Sequence, residues 1–234
     1  IAQEIQDAFE LSFVFLGPKE PSLHGIICDM GIESKYFELK GRKSIPRAIL
    51  QVRKFLQHNK IDTVHCHLVT ANIVGLTAAK TVGTRQRIYT RHHSIFHHKY
   101  APKWVYIDKM CNSMATDIVA ISRNVQNILI HRENVSKEKI TLIPHGFKLK
   151  NIIEPDFDKV LEVKNKHDLD RFGFRVGVVS RLIEWKGIKD IIDGFKEFTN
   201  ACPQAGLIIA GAVGPDAEDI KAYITAKLDQ DRYM

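Results

Sequence analysis

The chain has 234 residues, long for one ordinary domain and short for two full ones, and its 44% apolar and 26% charged residues are those of a globular protein. No run of about 18 apolar residues exists, so no membrane-crossing helix is expected, and Cys28, Cys66, Cys111 and Cys202, scattered without a CxxC, exclude a disulfide frame or zinc ribbon and read as reduced, buried thiols of a cytoplasmic chain. A net charge of +7 favours anionic partners such as phosphates or acidic lipid headgroups, while the lack of aromatic–basic interleaving argues against nucleic acid.

Residues 1–9 read as the tail of a helix. The run "ELSFVFLG" (10–17) is the first short apolar, β-branched segment and predicts a buried strand. "SIPRAILQVRKFLQHN" (44–59) predicts a helix, with Ser44 as N-cap and Ile45, Ile49, Val52 and Leu56 as its apolar stripe. Strands follow at "IDTVHC" (61–66), "QRIYT" (86–90), "DIVAIS" (117–122) and "ITLIP" (140–144). Between the first two, the small apolar "ANIVGLTAAKTV" (71–82) predicts a helix packed close to a sheet. Residues 147–173 are charged and hold no convincing strand. Strands at "FRVGVVS" (174–180) and "GLIIAG" (206–211) then flank a helix over 186–200, whose Ile188, Ile191, Ile192, Phe195 and Phe198 share one face. Alternating strands and helices imply an α/β fold with parallel sheets. The first domain is placed at 1–148, a connection at 149–171 and the second domain at 172–234. Two strands make a poor sheet alone, so the second domain reads as incomplete and the chain as a piece of a longer protein.

Ligands of open α/β sheets bind outside the carboxyl ends of strands, and the unusual polar residues fall there. "HCH" (65–67), "RHH" (91–93), "ISR" (121–123), "PHG" (144–146), "SRLIEWKG" (180–187) and "AGAVGP" (210–215) each close a strand. This marks His67, His92, His93, Ser122, His145, Gly146 and Gly211 as candidates for a cleft between two domains. Four histidines lie within "YTRHHSIFHHKY" (89–100), but no HExxH exists, adjacent histidines on extended chain point apart, and no acid lies nearby in sequence, so no metal is expected. His97 and His98 read as surface loop residues. His92 sits at the strand end, where a cleft role and a hydrogen-bonded loop role are equally open. Arg181 and Lys186 lie five apart on a strand-to-helix loop ending at Gly187. A guanidinium fork, an ammonium and a helix N-terminus together suit a diphosphate, although spacing alone favours two solvated cations at a helix start. The glycine patterns of dinucleotide folds, P-loops and serine hydrolases are absent.

Taken in order, these segments resemble the retaining, nucleotide-sugar-dependent glycosyltransferases of family 4. "IDTVHCH" looks like that family's strand ending in His-x-His, and "IYTRHH" like the strand carrying its donor-side histidine, here His92. "DIVAISRNVQNILI" with "ITLIPHGF" resembles its I-x-V-S to IPNG segment, "VVSRLIEWKG" its R-x4-K-G loop, and "PQAGLIIAGAVGP" the strand and turn that follow. The resemblance implies a GT-B fold: two Rossmann-like domains with parallel sheets facing across a cleft. It implies transfer of a sugar from a nucleoside diphosphate sugar to a glycan, lipid-linked or small-molecule acceptor in polysaccharide or glycoconjugate synthesis. Arg181, Lys186 and Gly187 would hold the diphosphate, His92 would serve catalysis at the donor sugar, and neither cofactor nor metal would be needed. A lipid-linked acceptor would suit peripheral contact at the inner face of the membrane. His145 departs from the family's Asn. The glycine-rich loop expected before Ile1 and the paired glutamates expected after Met234 lie outside the sequence, so this chain alone is not expected to catalyse. Two alternatives are a nucleotide-sugar-binding protein without turnover and an epimerase of the same architecture, for which Glu184 offers one carboxylate without a partner.

Overall fold

A computed structural model describes residues 8–146, 155–212 and 218–227. It divides into two compact units, Ile1–Phe147 and Lys148–Met234. Among the described residues, no helix is long and apolar enough to cross a membrane. The helix tail expected over residues 1–9 lies almost wholly outside the described residues.

In the first unit, β1 (Ser12–Gly17) pairs in parallel with β2 (Glu33–Glu38) through the crossover helix α1 (Ser22–Asp29). Next comes α2 (Ile45–His58), which buries Ala48, Val52, Phe55 and Leu56 at helical spacing. Ser44 stands at its N-cap, but its hydroxyl donates to the Gly41 carbonyl at 2.7 Å and makes no cap bond. β3 (Thr63–His67), β4 (Gln86–Arg91), β5 (Asp117–Ala120) and β6 (Ile140–Leu142) form one parallel sheet in sequential order. The helices α3 (Val69–Val82), α4 (Phe96–Tyr100), α5 (Trp104–Met114) and α6 (Arg123–His131) lie between them in sequence.

α3 joins the two sheets. Its Leu76 enters a core with Cys66, Tyr89, Ile118 and Leu129, while Val74, Ala78 and Ala79 enter a second core with α2, Val14, Leu16 and Phe37. Leu76, Ile118 and Leu129 are fully buried, each contributing about 1.5–3 kcal/mol. The close packing expected of this small-residue helix is visible at Gly75, where an added Cβ would lie 2.4 Å from Cys66 Sγ.

In the second unit, α7 (Phe157–Lys166) is capped by Asp156, whose carboxylate accepts from the Lys159 amide at 3.3 Å. β7 (Phe174–Val179) and β8 (Ala205–Ala210) pair in parallel across α8 (Ile188–Ala201), and α9 (Glu218–Lys227) follows. Leu182, Ile188, Ile192, Phe195, Leu207 and Ile220 form its core. The stretch read as a connection (149–171) therefore carries a helix and a 3-10 turn at Leu169–Arg171.

Two further elements differ from the sequence expectation for physical reasons. β2, "ESKYFE", alternates exposed and half-buried residues, so it lacks an apolar run. α5 buries Asp108 and Asn112 beside Cys111, which breaks the apolar stripe that would reveal it.

Candidate functional site

Period-two alternation sorts the histidines onto two faces of the sheet. On β3, Cys66 turns into the core opposite Tyr89, with which it is in register. His65 and His67 turn the other way, with ring centroids 4.5 Å apart. On β4, Thr90 shares their face and bonds His65 Nε2 at 2.8 Å. His92, two residues further, continues that face and meets His67 through Nε2···Nδ1 at 3.1 Å. His145, after β6, stacks on His92 with centroids 5.6 Å apart and 17° between planes. Three strand ends thus bring together His65, His67, His92 and His145. Gly146 follows His145 in exposed chain.

Burial first, then mutual repulsion, disfavours charge on His65, His67 and His92. His65 is pushed down to about 4 by desolvation and by His67 and His92. Burial and His145 lower His67. His92 is lowered by burial, His67, His145 and His93. Neutral imidazoles each offer one donor and one acceptor, a set matched to hydroxyl groups.

The other face carries a buried ionic network that sequence reasoning missed. Arg91, 2% exposed, donates from Nη1 to Asp108 Oδ1 at 2.8 Å and from Nη2 to Glu133 Oε1 at 2.7 Å. Its Nε donates to the His93 carbonyl at 3.0 Å, which fixes the chain on either side of His92. Asn112 donates to Glu133 Oε2 at 2.7 Å and accepts from the Tyr89 hydroxyl. His97 Nδ1 and His93 Nε2 reach Asp108 Oδ2 at 2.7 and 3.4 Å, and His98 Nε2 reaches Glu133 Oε1 at 3.2 Å. Burial alone would raise the Asp108 carboxyl, but hydrogen bonds from His93 and His97 and the charge of Arg91 hold it below its ordinary value. His97 and His98 are therefore not surface loop residues: His97 is buried and both lie on α4. The acids that seemed missing nearby come from α5 and the residues after α6. The signal was the alternation itself, which puts Tyr89, Arg91 and His93 on the face opposite His92.

Ser122 has a structural task. Its hydroxyl caps α6 by accepting from the Val125 amide at 3.2 Å.

In the second unit, Arg181 and Lys186 are exposed on the loop leaving β7, and among the described residues neither side chain has an ion-pair partner. Residues Glu184–Lys186 form a 3-10 turn, and Gly187, at φ +66°, ends it and caps α8. That positive φ favours glycine, and no side chain caps the amides of the first turn of α8. Gly211 lets the loops after β7 and β8 touch, since a Cβ there would lie 1.7 Å from the Ser180 carbonyl oxygen. Glu184, the one carboxylate considered for an epimerase, is exposed and paired with Lys189 at 3.1 Å.

The pattern of Glycosyltransferase Family 4 matches residues 1–151. The chain is 26% identical over 219 residues to the capsular polysaccharide biosynthesis glycosyltransferase CapM of Staphylococcus aureus, a match covering 85% of this chain and 56% of that protein. It is 25% identical over 214 residues to the alpha-monoglucosyldiacylglycerol synthase of Acholeplasma laidlawii, covering 80% of this chain and 51% of that one. It thus spans about half the length of these relatives. The crystal structure of Anabaena HepE in complex with UDP and glucose superposes with a TM-score of 0.75 at 18% identity, covering 96% of this chain and 68% of that one. That likeness gives the GT-B fold. With its amino-terminal 151 residues matching the family throughout, the chain belongs to glycosyltransferase family 4.

Proposed function

We propose that the full-length protein transfers a sugar, with retention of anomeric configuration, from a nucleoside diphosphate sugar to a glycan or lipid-linked acceptor on the cytoplasmic side of a membrane. The observation carrying this reading is the pair Arg181 and Lys186 on one strand-end loop before the uncapped amides of α8, in a chain of this family. A guanidinium fork, an ammonium and a helix dipole stabilise the charge that grows on a departing diphosphate, and this loop requires no metal for that task. In the proposed step the bond from the anomeric carbon to the diphosphate breaks. The acceptor oxygen bonds that carbon on the same face, and its proton passes to the departing phosphate oxygen. His92, kept neutral by its surroundings, would hydrogen-bond the donor sugar, with His67 and His145 fixing its ring. The acceptor class draws support from the capsule and glycolipid relatives.

The test is nucleotide affinity in the full-length protein. Arg181→Ala should weaken nucleoside diphosphate binding at least about tenfold, the worth of one charge-assisted hydrogen bond. Unchanged affinity would remove the diphosphate assignment.

A further inference from the structure

We propose that His93, His97 and Asp108 form a binding site for a divalent cation of the zinc class. His93 Nε2, His97 Nδ1 and an Asp108 oxygen lie within 4.8 Å of one another, and the group is buried apart from one half-buried edge at His93. Two imidazoles and a carboxylate are ligands that zinc accepts, with a fourth position left for water. Tetrahedral zinc, with ligands at about 2.0–2.2 Å, sets ligand atoms about 3.3 Å apart. His93 Nε2 already stands 3.4 Å from Asp108 Oδ2, while His97 Nδ1, at 2.7 Å, would have to withdraw slightly.

The surroundings favour a cation. Among the described residues, the buried ion pairs set one guanidinium, Arg91, against two carboxylates, Asp108 and Glu133. Arg91 takes the other Asp108 oxygen and so orients the carboxylate, as partners of metal ligands commonly do. His97 is held against Trp104, centroids 5.8 Å apart, and Trp104 in turn lies under Arg42. His93 side-chain exposure of 23% leaves a route for the ion and a water. The cation would tie the chain after β4 to α4 and α5, and so brace the segment carrying His92. This inference does not depend on the transfer reaction.

The experiment is calorimetric titration of the metal-free chain with zinc chloride, with circular dichroism confirming the fold of each variant. One ion per chain is expected, with affinity weakened at least about tenfold by His97→Ala and by the more conservative His93→Gln. His67→Ala, which alters the neighbouring histidine cluster, should leave zinc affinity unchanged. Absence of binding would overturn the site and leave these residues as a hydrogen-bonded network. Binding that survives His93→Gln but falls with His67→Ala would also overturn it, by placing the ion among the strand-end histidines.

Discussion

At the scale of single residues, one imidazole differs from the next by the face its backbone assigns it. His65, His67 and His92 gather where charge is disfavoured, whereas His93 and His97 turn toward Asp108. The first group has a consequence for stability. His65 titrates at about 4 in the folded chain against an ordinary 6.5, so between those values the unfolded chain binds the extra proton. Stability is therefore full above about pH 6.5 and falls as pH drops toward 4. The ring is partly exposed, and solvent screening reduces the loss to about 1 kcal/mol. Urea unfolding at pH 7 and pH 4.5 should show this drop, and His65→Gln should shrink it; an identical drop in the variant would show that His65 does not contribute. Much of this was legible beforehand: His67, His92 and His145 could be picked out because they close strands. The shared partner of His93 and His97 could not, because Asp108 lies 15 residues further along the chain from His93 and reaches it only through α5.

At the scale of elements, strands with apolar runs were readable and those with mixed faces were not. β4 and β7 announce themselves through β-branched cores; β2 and α5 spend their pattern on polar residues that the fold later buries or half-buries. Gly211 shows what only coordinates reveal. Its strand-end position marked it as a cleft candidate, and in the structure it also lets two loops pass. Gly211→Ala should destabilise the second unit by about 1–3 kcal/mol through overpacking against backbone, read as a lowered melting temperature; an unchanged melting point would show that the loops separate freely. α2 gives a second element-level prediction. From Leu39 to Ile61 there are seven Lys and Arg residues and no acid. The helix buries Ala48, Val52, Phe55 and Leu56 and leaves Arg47, Leu50, Arg53 and Lys54 exposed. Vesicles rich in anionic lipid should sediment the chain at low salt, and Arg47→Glu with Arg53→Glu should reduce it severalfold, since each cation near such a surface contributes about 1 kcal/mol. Equal sedimentation of the doubly substituted chain would move membrane contact elsewhere.

At the scale of the whole molecule, each unit brings its own chemistry. The first gathers histidines at the carboxyl ends of β3, β4 and β6; the second presents Arg181 and Lys186 after β7. In the proposed transfer, neutral imidazoles would suit the hydroxyls of a sugar nucleotide and the two cations its diphosphate. The measurement that tests this most directly is proton NMR of the product made by the full-length protein from an anomerically defined nucleoside diphosphate sugar. The account predicts a new glycosidic bond with the donor's own anomeric configuration, formed together with free nucleoside diphosphate. An inverted product, or a donor that is bound and never consumed with any acceptor offered, would contradict it.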